Sequence, residues 1–263
     1  MRSMDIAATG MQAQQTNIEV IANNIANMTT TAFKRRRPEF QDLIYQQLGV
    51  AAGANSSDTG TIVPAGAEVG LGVQTAAIYP ILEQGNLQQT NNTLDLAIQG
   101  AGYFQIQLPY GQIGYTRDGT FALSPTGQIV TADGYVVWPG MTVPQNATSI
   151  SINAQGQVQV TIPNQTQPQL IGQLQIVTFA NPAGLAPQGG NMFFATAASG
   201  NPIQGVPGSP GFGTVMQGFI ETSNVNVVTE ITDLITAQRA YEMNSRVIQT
   251  SDQIFATLTN PNL

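Results

Sequence analysis

Apolar residues recur every seven positions at both ends of this chain: Met4, Met11, Ile18 and Ile25 near the start, Val227, Leu234, Tyr241, Ile248 and Phe255 near the end. Seven residues make almost two α-helical turns, so each set falls on one helical face that needs an apolar partner. Ala7, Ile21 and Met28 fill the companion heptad row of the first ladder, with Gln14 as its polar member. Residues 4–28 contain no proline and a single glycine, Gly10, so a helix of about 37 Å is allowed at 1.5 Å per residue. Ile231, Ala237 and Leu258 support the second ladder, and Glu242 precedes Arg246 by four residues, the favourable order for a helical ion pair. Ladders this short do not hold a helix in water alone. Two arrangements satisfy them: a helix pair within one chain that covers a face of the remainder, or packing between chains. The run Ala22-Asn23-Asn24-Ile25-Ala26-Asn27 favours the second, because three asparagines are poor helix formers whose amides make sense when they bond across an interface.

Between the ladders the pattern changes. From Gly134 to Ile220 there are 87 consecutive residues without Asp, Glu, Lys or Arg. Ser149–Ile152, Gln157–Ile162 and Leu174–Phe179 alternate with the two-residue period of half-buried strands. Gly156, Pro163-Asn164 and Asn181-Pro182 mark the turns between them. Asp118-Gly119 and Asp133-Gly134 stand between apolar runs and predict hairpins closed by type I′ turns.

Composition then removes whole classes of function. The chain of 263 residues has no Cys and no His, which excludes disulfides, thiolate nucleophiles, imidazole bases and the common zinc sets. No catalytic residue, cofactor or metal is expected. Asp118 and Asp133 are a carboxylate pair of the kind a glycosidase or cell-wall hydrolase uses, but turn chemistry already accounts for both. Gly70-Leu71-Gly72 and Gly100-Ala101-Gly102 lack the third glycine of a dinucleotide fingerprint. A net charge of −7 with eight basic residues speaks against nucleic acid. The basic run Lys34-Arg35-Arg36-Arg37 reads either as a solvated turn or as a docking patch. No segment approaches a membrane span, and Met1-Arg2-Ser3-Met4-Asp5 does not open a secretory signal. The expectation is a cytoplasmic chain, or one exported without cleavage.

The resulting fold class is α+β: N- and C-terminal helices forming a coiled-coil layer (1–32 and 225–263), an extended β connector (33–70 and 214–224), and an antiparallel β-rich central domain (71–213). Residues 49–72, rich in Ala, Gly and Ser, lack helical periodicity and are expected to order against neighbouring copies.

Ala22-Asn23-Asn24-Ile25-Ala26-Asn27 running into Phe33-Lys34-Arg35 resembles the N-terminal signature of the bacterial flagellar rod and hook axial proteins. Ser223-Asn224-Val225-Asn226-Val227 with Ile235-Thr236-Ala237-Gln238-Arg239-Ala240-Tyr241-Glu242 resembles their C-terminal signature. Gly85-Asn86-Leu87-Gln88-Gln89-Thr90-Asn91-Asn92, Gly102-Tyr103-Phe104 and Tyr115-Thr116-Arg117-Asp118-Gly119-Thr120-Phe121 extend the likeness to the distal-rod members of that family. The family usually has Gly before its Phe-Lys pair, where Ala32 stands here; a positive φ there costs about 1 kcal/mol. Leu48–Ala54 replaces a segment that in relatives often carries Arg and Pro.

The resemblance implies a structural subunit of the flagellar distal rod, exported unfolded through the flagellar type III export apparatus without a cleaved signal peptide. It implies a homo-oligomer, a stiff hollow helical tube that transmits motor torque across the periplasm and encloses the export channel. Proximal rod proteins and the hook protein would adjoin it end to end, with the P-ring and L-ring around it, and neither nucleic acid nor membrane insertion is involved. The residues assigned to assembly are Met4, Met11, Ile18, Ile21, Asn23, Asn24, Ile25, Asn27, Phe33, Lys34, Val227, Leu234, Gln238, Arg239, Tyr241, Ile248 and Phe255. A hook or proximal-rod paralogue shares both terminal signatures, and a secreted β-rich glycan-binding module is the reading from another class.

Overall fold

The computed structural model describes residues 2–48, 67–163, 165 and 167–259, and the chain divides into two compact units. The first comprises residues 1–26, 36–80 and 226–263; the second comprises 27–35 and 81–225. The expectation for the connector at residues 49–66 lies outside the described residues.

The first unit contains both helices, α1 (Arg2–Ala26) and α2 (Val227–Thr259). Asn226 caps α2, its side-chain oxygen accepting from the backbone N–H of Val228 at 3.1 Å and of Thr229 at 3.4 Å. Such a cap satisfies donors that a helix start leaves unpaired. Strand Arg36–Asp42 pairs antiparallel with Val73–Pro80, with an irregularity between Glu39 and Phe40, and Tyr45–Gln47 pairs with Glu68–Gly70. The ribbon approaches α1 closely at Gly72, where φ is +124° and an added Cβ would run into the Thr9 side chain. Thr9 Oγ1 accepts from the Val73 N–H at 3.3 Å.

Strand pairing in the second unit is antiparallel throughout. Its largest sheet has nine strands, with Tyr103–Gln107 central, flanked by Ile113–Thr116, Val136–Val137 and Ile176–Thr178. Ser149–Ile152, Gln157–Thr161 and Gln169–Gln173 form a separate three-stranded sheet. Leu96, Ile98, Phe104, Phe121, Val158, Leu174 and Ile176 pack into one core, and Tyr103, Tyr115, Val177, Phe179 and Leu185 into a second. Chain entry and exit belong to this unit as well: Leu87–Gln89 pairs with Phe219–Glu221, and Leu96–Gln99 with Thr214–Gln217.

The two Asp-Gly turns differ from expectation. Gly134 has φ +84°, but Asp133 is not among the positive-φ residues, so the turn is not type I′. Val130 still pairs with Val136, across a wider turn in which the Gly134 N–H bonds the Thr131 carbonyl at 2.9 Å. At Asp118-Gly119 neither residue has positive φ. Gly119 serves a close approach, since a Cβ there would collide with the Leu96 carbonyl oxygen.

Candidate functional site

Contacts between α1 and α2 keep a strict spacing. Ser3 Oγ lies 3.3 Å from Ser251 Oγ, a Cβ at Gly10 would sit 2.8 Å from Asn244 Nδ2, and Asn24 Nδ2 donates to Glu230 Oε2 at 3.0 Å. Each step of seven or fourteen residues up α1 is matched by an equal step down α2, so the two helices run antiparallel. These three contacts come from small and polar residues, and Ala7, Ile21 and Ala237, companions of the two ladders, are buried as well. Ala7, Ala13, Val20, Ile21 and Asn24 are the buried residues of α1, and among the described residues Glu230 and Ala237 are those of α2.

The ladder residues flank this seam. Met4, Met11, Ile18, Ile25, Val227, Leu234, Ile248 and Phe255 are half-buried, while Tyr241, Gln238 and Arg239 are exposed. Val228 (75% exposed) and Ile235 (46%) each precede a seam position by two residues, about 200° around the helix and so on its far side. Asn23 is exposed and Asn27 half-buried. Asn24 spends its amide inside its own chain: besides bonding Glu230, it donates to the Arg36 carbonyl at 2.9 Å and accepts from the Arg36 N–H at 2.8 Å.

The basic run is not one patch. Arg37 is exposed and stacks over the Tyr79 ring at 5.3 Å from its centroid, bonding Tyr79 Oη and Glu39. Lys34 is buried in the second unit, in an ion pair and hydrogen bond with Glu221 Oε1. That carboxylate oxygen also accepts from the Gly85 N–H at 3.0 Å, and Oε2 accepts from Arg117 Nε at 2.5 Å. The Glu221 side chain has no exposed surface. Arg117 donates further to the carbonyls of Gly102 (2.9 Å), Ile98 (3.2 Å) and Gly100 (2.6 Å). Burial lowers the Lys34 pKa below the usual lysine range, although the Glu221 charge and hydrogen bond oppose the shift and Arg117 adds to it.

Two further contacts close the loop around this cluster. Phe33, half-buried, accepts at its carbonyl from the Asn224 N–H at 3.4 Å, and Asn224 Oδ1 accepts from the Arg35 N–H at 2.8 Å. Ala32, with φ +57°, donates its N–H to the Glu221 carbonyl at 2.8 Å. The positive φ weighed for Ala32 is therefore present, and alanine occupies it.

Asp118 and Asp133 line a cavity of about 40 Å³, room for a water and not for a sugar ring. The Asp118 carboxylate is occupied by the Thr120 N–H and hydroxyl and by Asn191 Nδ2 at 2.9–3.1 Å. Among the described residues no cluster of three metal-ligating side chains occurs, and no helix is long and apolar enough to cross a membrane.

Three segments match family models: residues 4–34 "Flagella basal body rod protein", 97–160 "Flagellar hook protein FlgE/F/G D1 domain", and 216–260 "Flagellar basal body rod FlgEFG protein C-terminal". Over 97% of both chains it is 56% identical to "Flagellar basal-body rod protein FlgG" of Caulobacter vibrioides. The protein of the same name from Agrobacterium fabrum is 53% identical over the full length of both, and that of Bacillus subtilis 40% identical over 99% and 98%. The chain belongs to the FlgG family of flagellar basal-body rod proteins. These FlgG relatives are structural proteins, not enzymes, which disposes of the hydrolase reading of Asp118 and Asp133. The buried charge cluster is distributed over all three matched segments: Lys34 ends the first, Arg117 lies in the second and Glu221 near the start of the third. Motif reading singled out Lys34 for assembly and missed its partners. The available signal was Glu221 itself, the first charged residue after the 87 uncharged ones. Glu230, Asn244 and Gly10 were missed because a ladder search weights apolar residues, whereas these three contacts are polar or small.

Proposed function

We propose that this FlgG-family subunit, a structural component of the flagellar distal rod, polymerises into a stiff hollow helical tube. The tube transmits motor torque across the periplasm to the hook and encloses the export channel. The observation that carries this reading is the apolar surface that the helix pair leaves exposed. The helices make polar contacts at Ser3, Gly10, Asn24, Glu230, Asn244 and Ser251, and the half-buried ladder residues and the exposed Val228, Ile231, Ile235, Met243, Val247 and Ile254 keep apolar surface to cover. Single exposed apolar residues are ordinary, but a file of them along a 33-residue helix calls for a partner. Heterologous contacts that do not close into a ring generate such a tube.

In this reading the terminal segments 1–32 and 225–263 form a coiled-coil layer between subunits. Residues 33–70 and 214–224 act as connector, and 71–213 form the β-rich domain. Met4, Met11, Ile18, Ile25, Val227, Leu234, Tyr241, Ile248 and Phe255 supply the main apolar contacts, with Asn23, Asn27, Gln238 and Arg239 as polar neighbours and Ile21, already buried within its own chain, supporting them from beneath. Asn24, Phe33 and Lys34 support that surface from within the subunit. The chain passes through the flagellar type III export apparatus. It meets proximal rod proteins at one end and the hook protein at the other, inside the P-ring and L-ring. Full-length identity to proteins named FlgG disfavours a hook paralogue or a glycan-binding module. The test is electron microscopy of purified hook–basal bodies labelled with antibody against residues 71–213. Label on the straight axial segment below the hook is expected; label on the hook, or none on the organelle, would overturn the assignment.

A further inference from the structure

In the second unit a cavity of about 320 Å³ opens beside the buried charge cluster. Leu82, Pro182 and Phe179 form apolar wall, while Tyr103, Arg117 and Thr178 bring polar groups to it. Tyr103 is only 8% exposed. Its ring is spent on edge-to-face contacts with Phe179 and Phe193, but among the described residues its hydroxyl makes no hydrogen bond. Gln84, also on the wall, is held from both ends of its amide: its NH2 donates to the Ile98 carbonyl at 2.7 Å and its oxygen accepts from the Gly100 N–H at 3.0 Å. Arg117 has committed Nε, both Nη2 protons and one Nη1 proton to Glu221, Ile98, Gly100 and Gly102, and keeps one N–H of its five. Lys34, Arg117 and Glu221 together carry a net charge of +1 with little access to water. The wall thus offers a phenol donor, a guanidinium donor and a hydroxyl in a positive field, next to apolar surface, and has no acidic lining residue.

We propose that this cavity binds a carboxylate carried on an apolar body of roughly ten heavy atoms, as a free aromatic acid or as the C-terminal residue of a polypeptide. The carboxylate accepts from Tyr103 and Arg117, and its apolar body lies against Leu82, Phe179 and Pro182.

Isothermal titration of the full chain with phenylacetate tests this, in parallel with N-acetyl-glycyl-phenylalanine and the amide of each. One-to-one binding with a Kd on the order of 1 mM is expected for at least one of the acids. Its amide should bind about tenfold more weakly, for want of charge. Tyr103→Phe should weaken the acid by about tenfold, the loss of one charge-assisted hydrogen bond. Leu82→Trp, a change at a partly exposed site, should abolish binding by filling the cavity. Binding of the free acid alone identifies a small-molecule site, and binding of the peptide identifies a chain-end site. No saturable binding of either acid, equal affinity of acid and amide, or undiminished binding by Tyr103→Phe would overturn the proposal. The acid–amide comparison needs no variant and so does not depend on any substitution folding.

Discussion

Replacing Glu221 by Gln keeps the shape of the side chain and deletes the one anion that Lys34 and Arg117 share. The carboxylate is fully enclosed and accepts from Lys34 Nζ, Arg117 Nε and the Gly85 N–H. An amide has one acceptor oxygen, so its NH2 must face a cation or a donor. Two buried cations are then left without an anion, and breaking a buried ion pair from one side costs about 3–5 kcal/mol. For a unit of this size that lowers the thermal midpoint by roughly 10 °C. Trp138, the single tryptophan, lies in the second unit and reports its unfolding in urea by fluorescence. Adding Lys34→Met to Glu221→Gln should restore part of the loss, because it removes one of the stranded cations. A Glu221→Gln shift worth less than about 1 kcal/mol, or a double variant no more stable than the single, would refute the view that this carboxylate holds entry, interior and exit together.

Lys34 makes stability depend on pH in the alkaline range. Its folded-state pKa is lowered mainly by burial, so between that value and the unfolded value near 10.5 the unfolded chain binds more protons. Stability should therefore rise with pH through that window, and Lys34→Met should flatten the rise in urea titrations. Ala32→Gly should raise stability by about 0.5–1 kcal/mol, since glycine relieves the φ of +57° at some cost in unfolded-state entropy; a destabilised variant in calorimetry contradicts this. Gly10→Leu should open the helix seam at Asn244 and lower helicity by circular dichroism, whereas Gly10→Ala should be nearly neutral, because the amide it meets is the end of a flexible side chain. Ile25→Asp or Leu234→Asp should abolish motility in soft agar while leaving the second unit's urea midpoint unchanged; intact swimming would remove those residues from the apolar contact set.

Sequence periodicity captured the helices because a 3.6-residue period survives any tertiary context: α1 at Arg2–Ala26 and α2 at Val227–Thr259 carry the two ladders. Ser149–Ile152 and Gln157–Thr161 were legible for the same reason at period two. The seam was not, because Ser3, Gly10, Asn24, Glu230, Asn244 and Ser251 have no apolar signature, and their pairing depends on the antiparallel register of segments more than two hundred residues apart. The turn at Asp118-Gly119 was misread as a φ requirement, when its glycine answers to a carbonyl on another strand. Lys34 was visible as a charge, while its burial depends on Glu221, 187 residues away. Local signals such as period, cap and turn composition are written in adjacent residues; charge pairing across the sheet is written only in the folded chain.

The most direct test of the account is photo-crosslinking from the far side of α2. A benzophenone side chain at Ile235, opposite the seam, should yield covalent dimers and higher multiples of the chain from assembled rods and monomer only from the unassembled protein. Assembled rods that give no intersubunit product from Ile235, while the same probe on the β-rich domain does crosslink to other copies, would contradict packing of these helices between subunits.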